Sequence, residues 1–140
     1  MKKKITLAIT GCLGRMGQQI IKSAYLDKNF SIVTLTENKV SKKKIKGILI
    51  ETNSEKSLAK ADIIIDFSHP KCTLDVLKIS AKLNKRVVIG TTGFTKKEEF
   101  LIKKYSKKIA ILKAGNMSLG INLLMYLTEL TSASLGNKYL

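Results

Sequence analysis

"TGCLGRMG" at positions 10–17 sets three glycines three residues apart, between an apolar run and an amphipathic stretch. This spacing suits a strand-to-helix turn that holds a phosphate, because a helix start carries unpaired N–H groups and positive potential. Gly11 would make the tight turn, Gly14 would let backbone approach a pyrophosphate, and Gly17 would let the helix pack close. The pattern is G-x-x-G-x-x-G, with Leu13 where the common dinucleotide fingerprint has its second glycine. No Gly-Lys-Ser/Thr follows, which excludes a Walker-type loop. On these residues alone, a plain bend between strand and helix stays open. Glu37 favours the first reading. It ends the next apolar run, twenty residues after Gly17, where a carboxylate can accept hydrogen bonds from adenosine ribose hydroxyls. A solvated glutamate at a strand end is the alternative.

Two further clusters have matching chemistry. Gly90, Thr91 and Thr92 in "GTTGF", and Ala114 to Met117 in "AGNMS", combine small residues with hydroxyl and amide groups. Small side chains let a nicotinamide ring lie against backbone, and Thr91, Thr92 and Asn116 offer bonds to ribose or carboxamide. Helix capping is the competing role for this region, with Thr95 and Ser118 as N-caps. Lys39 and the lysines at 42–44 are placed to meet a 2′-phosphate, or serve only as solubilising charge. Cys12, Cys72 and the single histidine, His69, lack metal-ligand spacing, so no metal site is expected.

The elements that must position these residues alternate. Strands are expected at 4–10, 30–37, 62–67, 86–90 and 109–115, with a short extra one at 48–51. Helices are expected at 15–26, 54–61, 70–83, 96–108 and 118–136, and 38–47 reads as a surface loop. Pro70 fits an early helical position, where its missing N–H costs nothing. Such alternation predicts an α/β, doubly wound, Rossmann-type parallel sheet with helices on both faces. Ligands of such sheets bind at the carboxyl ends of the strands, where every glycine-rich or polar turn named above falls.

The 140 residues suffice for one domain, and the formal charge is +16. Of the 26 basic residues only Arg15 and Arg86 are arginine, and tryptophan is absent. Runs of lysine occur only at 2–4 and 42–44. A nucleic-acid reader usually interleaves arginine and aromatics with a basic patch, so no nucleic-acid partner is expected. No apolar run reaches the ~20 residues that span a bilayer, and a cytoplasmic protein without a membrane partner is expected.

"GCLGRMG", "IDFSHP", "VIGTTGF" and "AGNMSLGINLL" occur in the order and spacing of the dihydrodipicolinate reductase family, which the chain resembles over nearly its whole length. The resemblance implies NADH- or NADPH-dependent reduction of 4-hydroxy-tetrahydrodipicolinate to tetrahydrodipicolinate, in lysine and diaminopimelate biosynthesis. It implies cofactor contacts from Gly11, Cys12, Leu13, Gly14, Arg15 and Met16, ribose contact by Glu37, and nicotinamide-side contacts from Gly90, Thr91, Thr92, Ala114, Gly115, Asn116 and Met117. The family often carries arginine where His69 stands, so His69 is expected to be a turn residue near the cofactor and not a catalytic histidine.

The family's His-His-x-x-Lys-x-Asp-x-Pro-Ser-Gly-Thr segment has no counterpart here. The expected organisation is therefore a dinucleotide-binding domain at 1–117, followed at 118–140 by the first helix of a substrate domain that is otherwise absent. No catalytic residue is assigned. The isolated chain is expected to bind dinucleotide at best weakly and to turn over no substrate unless the missing domain is supplied. The full-length family is expected to be homo-oligomeric, and the apolar helix at 118–136 to promote self-association. A non-catalytic dinucleotide-binding or redox-sensing module is the alternative.

Overall fold

The computed structural model describes residues 3–39 and 41–136. Lys2 of the first lysine run, Val40 of the expected 38–47 loop and 137–140 of the expected 118–140 unit lie outside the described residues. In chain order the elements are β1 (Ile5–Thr10), α1 (Arg15–Leu26), β2 (Phe30–Glu37), β3 (Lys44–Ile45), β4 (Ile48–Thr52) and α2 (Glu55–Leu58). After them come β5 (Ile63–Asp66), α3 (Pro70–Leu83), β6 (Arg86–Ile89), α4 (Lys96–Ser106), β7 (Ile111–Lys113) and α5 (Leu119–Leu135).

The seven strands form one sheet in the order β3-β4-β2-β1-β5-β6-β7, parallel throughout except for the β3–β4 pair. Strand order reverses direction at β1, whose neighbours are β2 and β5, so a crevice opens above that junction. Alternation in β1 separates the two faces. Ala8 packs with Ile64, Val76, Leu77 and Val87, beneath α3, whereas Ile9 packs with Leu35, Ile50 and Ile21 of α1. The expected doubly wound sheet is observed.

Besides α2, four residues long where a helix at 54–61 is expected, three details differ from the sequence reading. The lysine-rich stretch expected as loop contains β3, which pairs antiparallel with β4 through a turn at Lys46 (φ 50°) and Gly47 (φ 82°). The last strand is three residues, shorter than the expected 109–115. Finally, α1 covers only part of its face: Ile63, Ile65 and Val88 are half-buried, and Leu112 is 62% exposed. Among the described residues, no helix is long and apolar enough to cross a membrane.

Candidate functional site

Gly11 turns the chain out of β1 with φ +71°, and a Cβ there would stand 2.3 Å from the Phe67 carbonyl oxygen. Both constraints demand glycine. Gly17, in the first turn of α1, is held as closely: its Cβ would lie 2.2 Å from the Gly11 carbonyl oxygen. The helix therefore rests directly on the turn, as the spacing predicts.

The N–H groups of Gly11 and Cys12 donate to the Thr36 carbonyl at 3.1 and 3.3 Å, tying the turn to β2. Glu37, one residue on, accepts from the Leu13 N–H at 2.7 Å through Oε1 and from the Asn38 N–H at 3.3 Å through Oε2. Glu37 and the glycine turn, twenty-odd residues apart in sequence, thus form one unit. Cys12 is fully buried. Burial, then the nearby Glu37 carboxylate, pushes its thiol up to about 11. The thiol is therefore protonated at neutral pH, and its carbonyl accepts from Gln18 Nε2 at 2.7 Å.

Gly14 caps α1 with no side-chain bond, and no acidic residue occupies the first turn. The N–H groups of Arg15 and Met16 find no acceptor among the described residues. Likewise α3 starts at His69 and Pro70 without a side-chain cap. By contrast, α2 and α4 begin with complete capping boxes, Ser54 with Ser57 and Thr95 with Glu98. Ser118 caps α5. The two open helix starts line one cleft of about 600 Å³. Gly14, Arg15 and Met16 form one wall, Phe67 to Pro70 a second, and Gly90, Thr91 and Thr92 a third. A helix start without its own cap is suited to a ligand's anionic group.

The structure thus brings the first turn and the Gly90–Thr92 turn together. Ala114, Gly115, Asn116 and Met117 follow β7 and do not line this cleft. Ala114 is joined to β6 by its N–H on the Ile89 carbonyl at 3.2 Å. The Asn116 amide is engaged locally, donating to Asn122 and accepting from the Ser118 N–H. Glu37 lines a separate cleft of about 410 Å³, with Asn53, Glu55, Asp75, Lys78 and Lys82. Lys39 and Lys42 to Lys44 are exposed and do not line it. Among the described residues no group of three or more potential ligands could hold a metal.

Thr91 offers less than its residue type implies. Its hydroxyl donates to Asp66 Oδ2 at 2.9 Å and accepts from the Ser68 N–H at 2.9 Å. That leaves backbone, and the neighbouring Thr92, to face the cleft. Sequence reasoning missed Asp66 itself. It is fully buried at the end of β5, and Thr10, Ser68, Thr73 and Thr91 all donate hydroxyls to it. The available signal was a carboxylate closing an otherwise apolar strand, "DIIIDF".

A family model described as dihydrodipicolinate reductase, N-terminus, matches residues 5–117. The chain is 67% identical over 138 residues to a 4-hydroxy-tetrahydrodipicolinate reductase of Pelagibacter ubique (strain HTCC1062), covering 99% of this chain and 54% of that protein. It is 40% identical over 146 residues to the enzyme of that name from Buchnera aphidicola subsp. Baizongia pistaciae (strain Bp), covering 96% and 54%. The chain spans about half the length of the curated relatives it matches. Among solved structures, a dipicolinate-bound dihydrodipicolinate reductase from Paenisporosarcina sp. TG-14 superposes with TM-score 0.73 at 24% identity, covering 94% of this chain and 54% of that one. A Rex-family repressor does so with TM-score 0.68 at 16% identity, covering 95% and 62%. At those identities the likeness is one of fold.

Proposed function

The chain belongs to the dihydrodipicolinate reductase family, and on that premise we propose that it is the cofactor half of a 4-hydroxy-tetrahydrodipicolinate reductase. It holds NADH or NADPH across the carboxyl ends of the sheet. The glycine turn carries this reading: Gly11 and Gly17 leave no room for a side chain, and the α1 start they shape is uncapped. The pyrophosphate lies on the turn from Gly11 to Met16, met by the free N–H groups of Arg15 and Met16. Each Glu37 oxygen accepts one backbone N–H, and the remaining lone pairs are free for ribose hydroxyls.

The nicotinamide end lies over Gly90, Thr91 and Thr92, and Ala114 to Met117, outside the cleft wall at the end of the adjoining β7, are its more distant neighbours. When bound, the dinucleotide supplies a hydride. The contribution of this chain is to hold and orient that donor, which can account for ~7–11 kcal/mol of a barrier when both reactants are placed. Residues 1–117 form the binding unit, and 118–140 begin the part that receives the small-molecule substrate. In these 140 residues we place binding and not turnover, because the His-His-x-x-Lys segment to which the family resemblance assigns substrate binding and proton transfer has no counterpart in them.

Titration of the 140-residue chain with NADH and NADPH, followed by nicotinamide fluorescence, tests the reading. Saturable binding is expected, weakened about tenfold or more by Glu37→Ala, since a hydrogen bond to a charged group is worth ~1.5–3 kcal/mol. Absence of binding, or indifference to Glu37→Ala, overturns it. No NADPH oxidation with freshly generated substrate is expected from the chain alone.

A further inference from the structure

Asp66 is fully buried, yet no lysine, arginine or histidine pairs with it among the described residues. A buried carboxylate is costly unless hydrogen bonds replace its water. Here four hydroxyls do so, two to each oxygen. Thr10 and Ser68 donate to Oδ1, and Thr73 and Thr91 donate to Oδ2. Two donors per oxygen match the acceptor-only character of an ionised carboxylate.

Stability alone does not account for a charge at this point. Replacing a buried charged network with well-packed apolar groups is often neutral or stabilising. The placement offers another reason. Ser68 and Thr91 both line the 600 Å³ cleft, so the carboxylate lies directly beneath its floor, one hydrogen bond away. All its immediate partners are neutral. Its field is therefore cancelled neither by a counter-ion nor, at this depth, by salt.

We propose that Asp66 is an electrostatic positioning residue: its fixed negative charge beneath the cleft favours an oxidised, cationic nicotinamide ring over the reduced, neutral one. This rests on the ring lying over Gly90 to Thr92, as proposed above. The two redox forms differ there by one unit of charge and little in shape. An anion held below them discriminates by charge, and the hydroxyl cage keeps it aimed and dry.

The test is the ratio of dissociation constants for NAD⁺ and NADH, measured by calorimetry on the 140-residue chain. Asp66→Asn, close in shape and uncharged, is expected to weaken NAD⁺ relative to NADH about ten- to thirtyfold, the scale for unit charges ~8 Å apart at an effective dielectric of ~20–30. Thr73→Val removes one cage hydroxyl on the α3 side and keeps the charge, so it should lower the melting temperature and leave the ratio in place. An unchanged ratio in Asp66→Asn overturns the proposal, as does an equal shift in Thr73→Val.

A second measurement needs no variant. Against ADP-ribose, which lacks the ring, the wild-type chain should gain more affinity from the oxidised ring than from the reduced one. The reverse order overturns the proposal even if Asp66→Asn fails to fold. Binding of neither dinucleotide by the wild-type chain removes the cofactor reading and this proposal with it. Binding with the wrong ratio removes only the proposal.

Discussion

α3 and α5 are helices of fourteen and seventeen residues from the same chain, and they are used in opposite ways. In α3 the apolar residues keep to one stripe. Val76 and Leu77 are fully buried against β5 and β6, while Lys78 and Lys82 lie on the exposed side, bordering the cleft that Glu37 lines. In α5 the apolar residues run around the helix, and none is buried. Leu119 is 85% exposed and Leu124 62%. A helix that is hydrophobic all round belongs in a core, and a striped one at a surface. The difference shows that α3 is explained by the sheet it covers, and α5 by nothing within the described residues.

Substitutions can break that contrast. Leu77→Ala should cost about 2–5 kcal/mol in denaturant unfolding, the range for truncating a buried leucine. Leu124→Ala should stay within about 0.5 kcal/mol, as exposed positions do. Comparable costs would mean that α5 is packed in solution. Helix caps provide a smaller version of the same comparison. Thr95→Ala opens the capping box of α4 and should cost about 1 kcal/mol. Ser118→Ala, at the start of α5, should leave the unfolding midpoint where it is.

Deleting residues 118–140 should have the smallest effect on stability. At concentrations where sizing shows a monomer, the unfolding free energy should shift by less than about 0.5 kcal/mol. At higher concentration the deletion should abolish any self-association that the exposed apolar helix supports. A large fall in stability would identify α5 as part of the folded body.

What was legible in the sequence follows from how local each signal was. The glycine turn, Glu37, the Thr95 and Ser118 caps and Pro70 at the start of α3 each depend on residues near in sequence or on a regular strand-end position. The Asp66 cage was not legible. Its donors, Thr10, Ser68, Thr73 and Thr91, meet only when β1, β5, α3 and β6 converge. The commitment of the Thr91 hydroxyl to Asp66 was hidden for the same reason. β3 was missed because nothing in "SKKKIKG" alternates apolar with polar, and because the turn needs left-handed geometry at Lys46, a residue that gives no sign of it. The apolar character of α5 was plain, and its surroundings were not.

The two-residue β3 also decides how this sheet meets other molecules. A parallel sheet with an open margin invites further strands to add, the route by which ordered aggregates grow. Here one margin is a stub carrying Lys44, and the other is β7, three residues long, where Lys113 pairs with Glu99 at 2.6 Å. Both borders are too short and too charged to template another chain. If copies of this protein adhere to one another, they should do so through the side of a helix, giving reversible clusters and not fibrils.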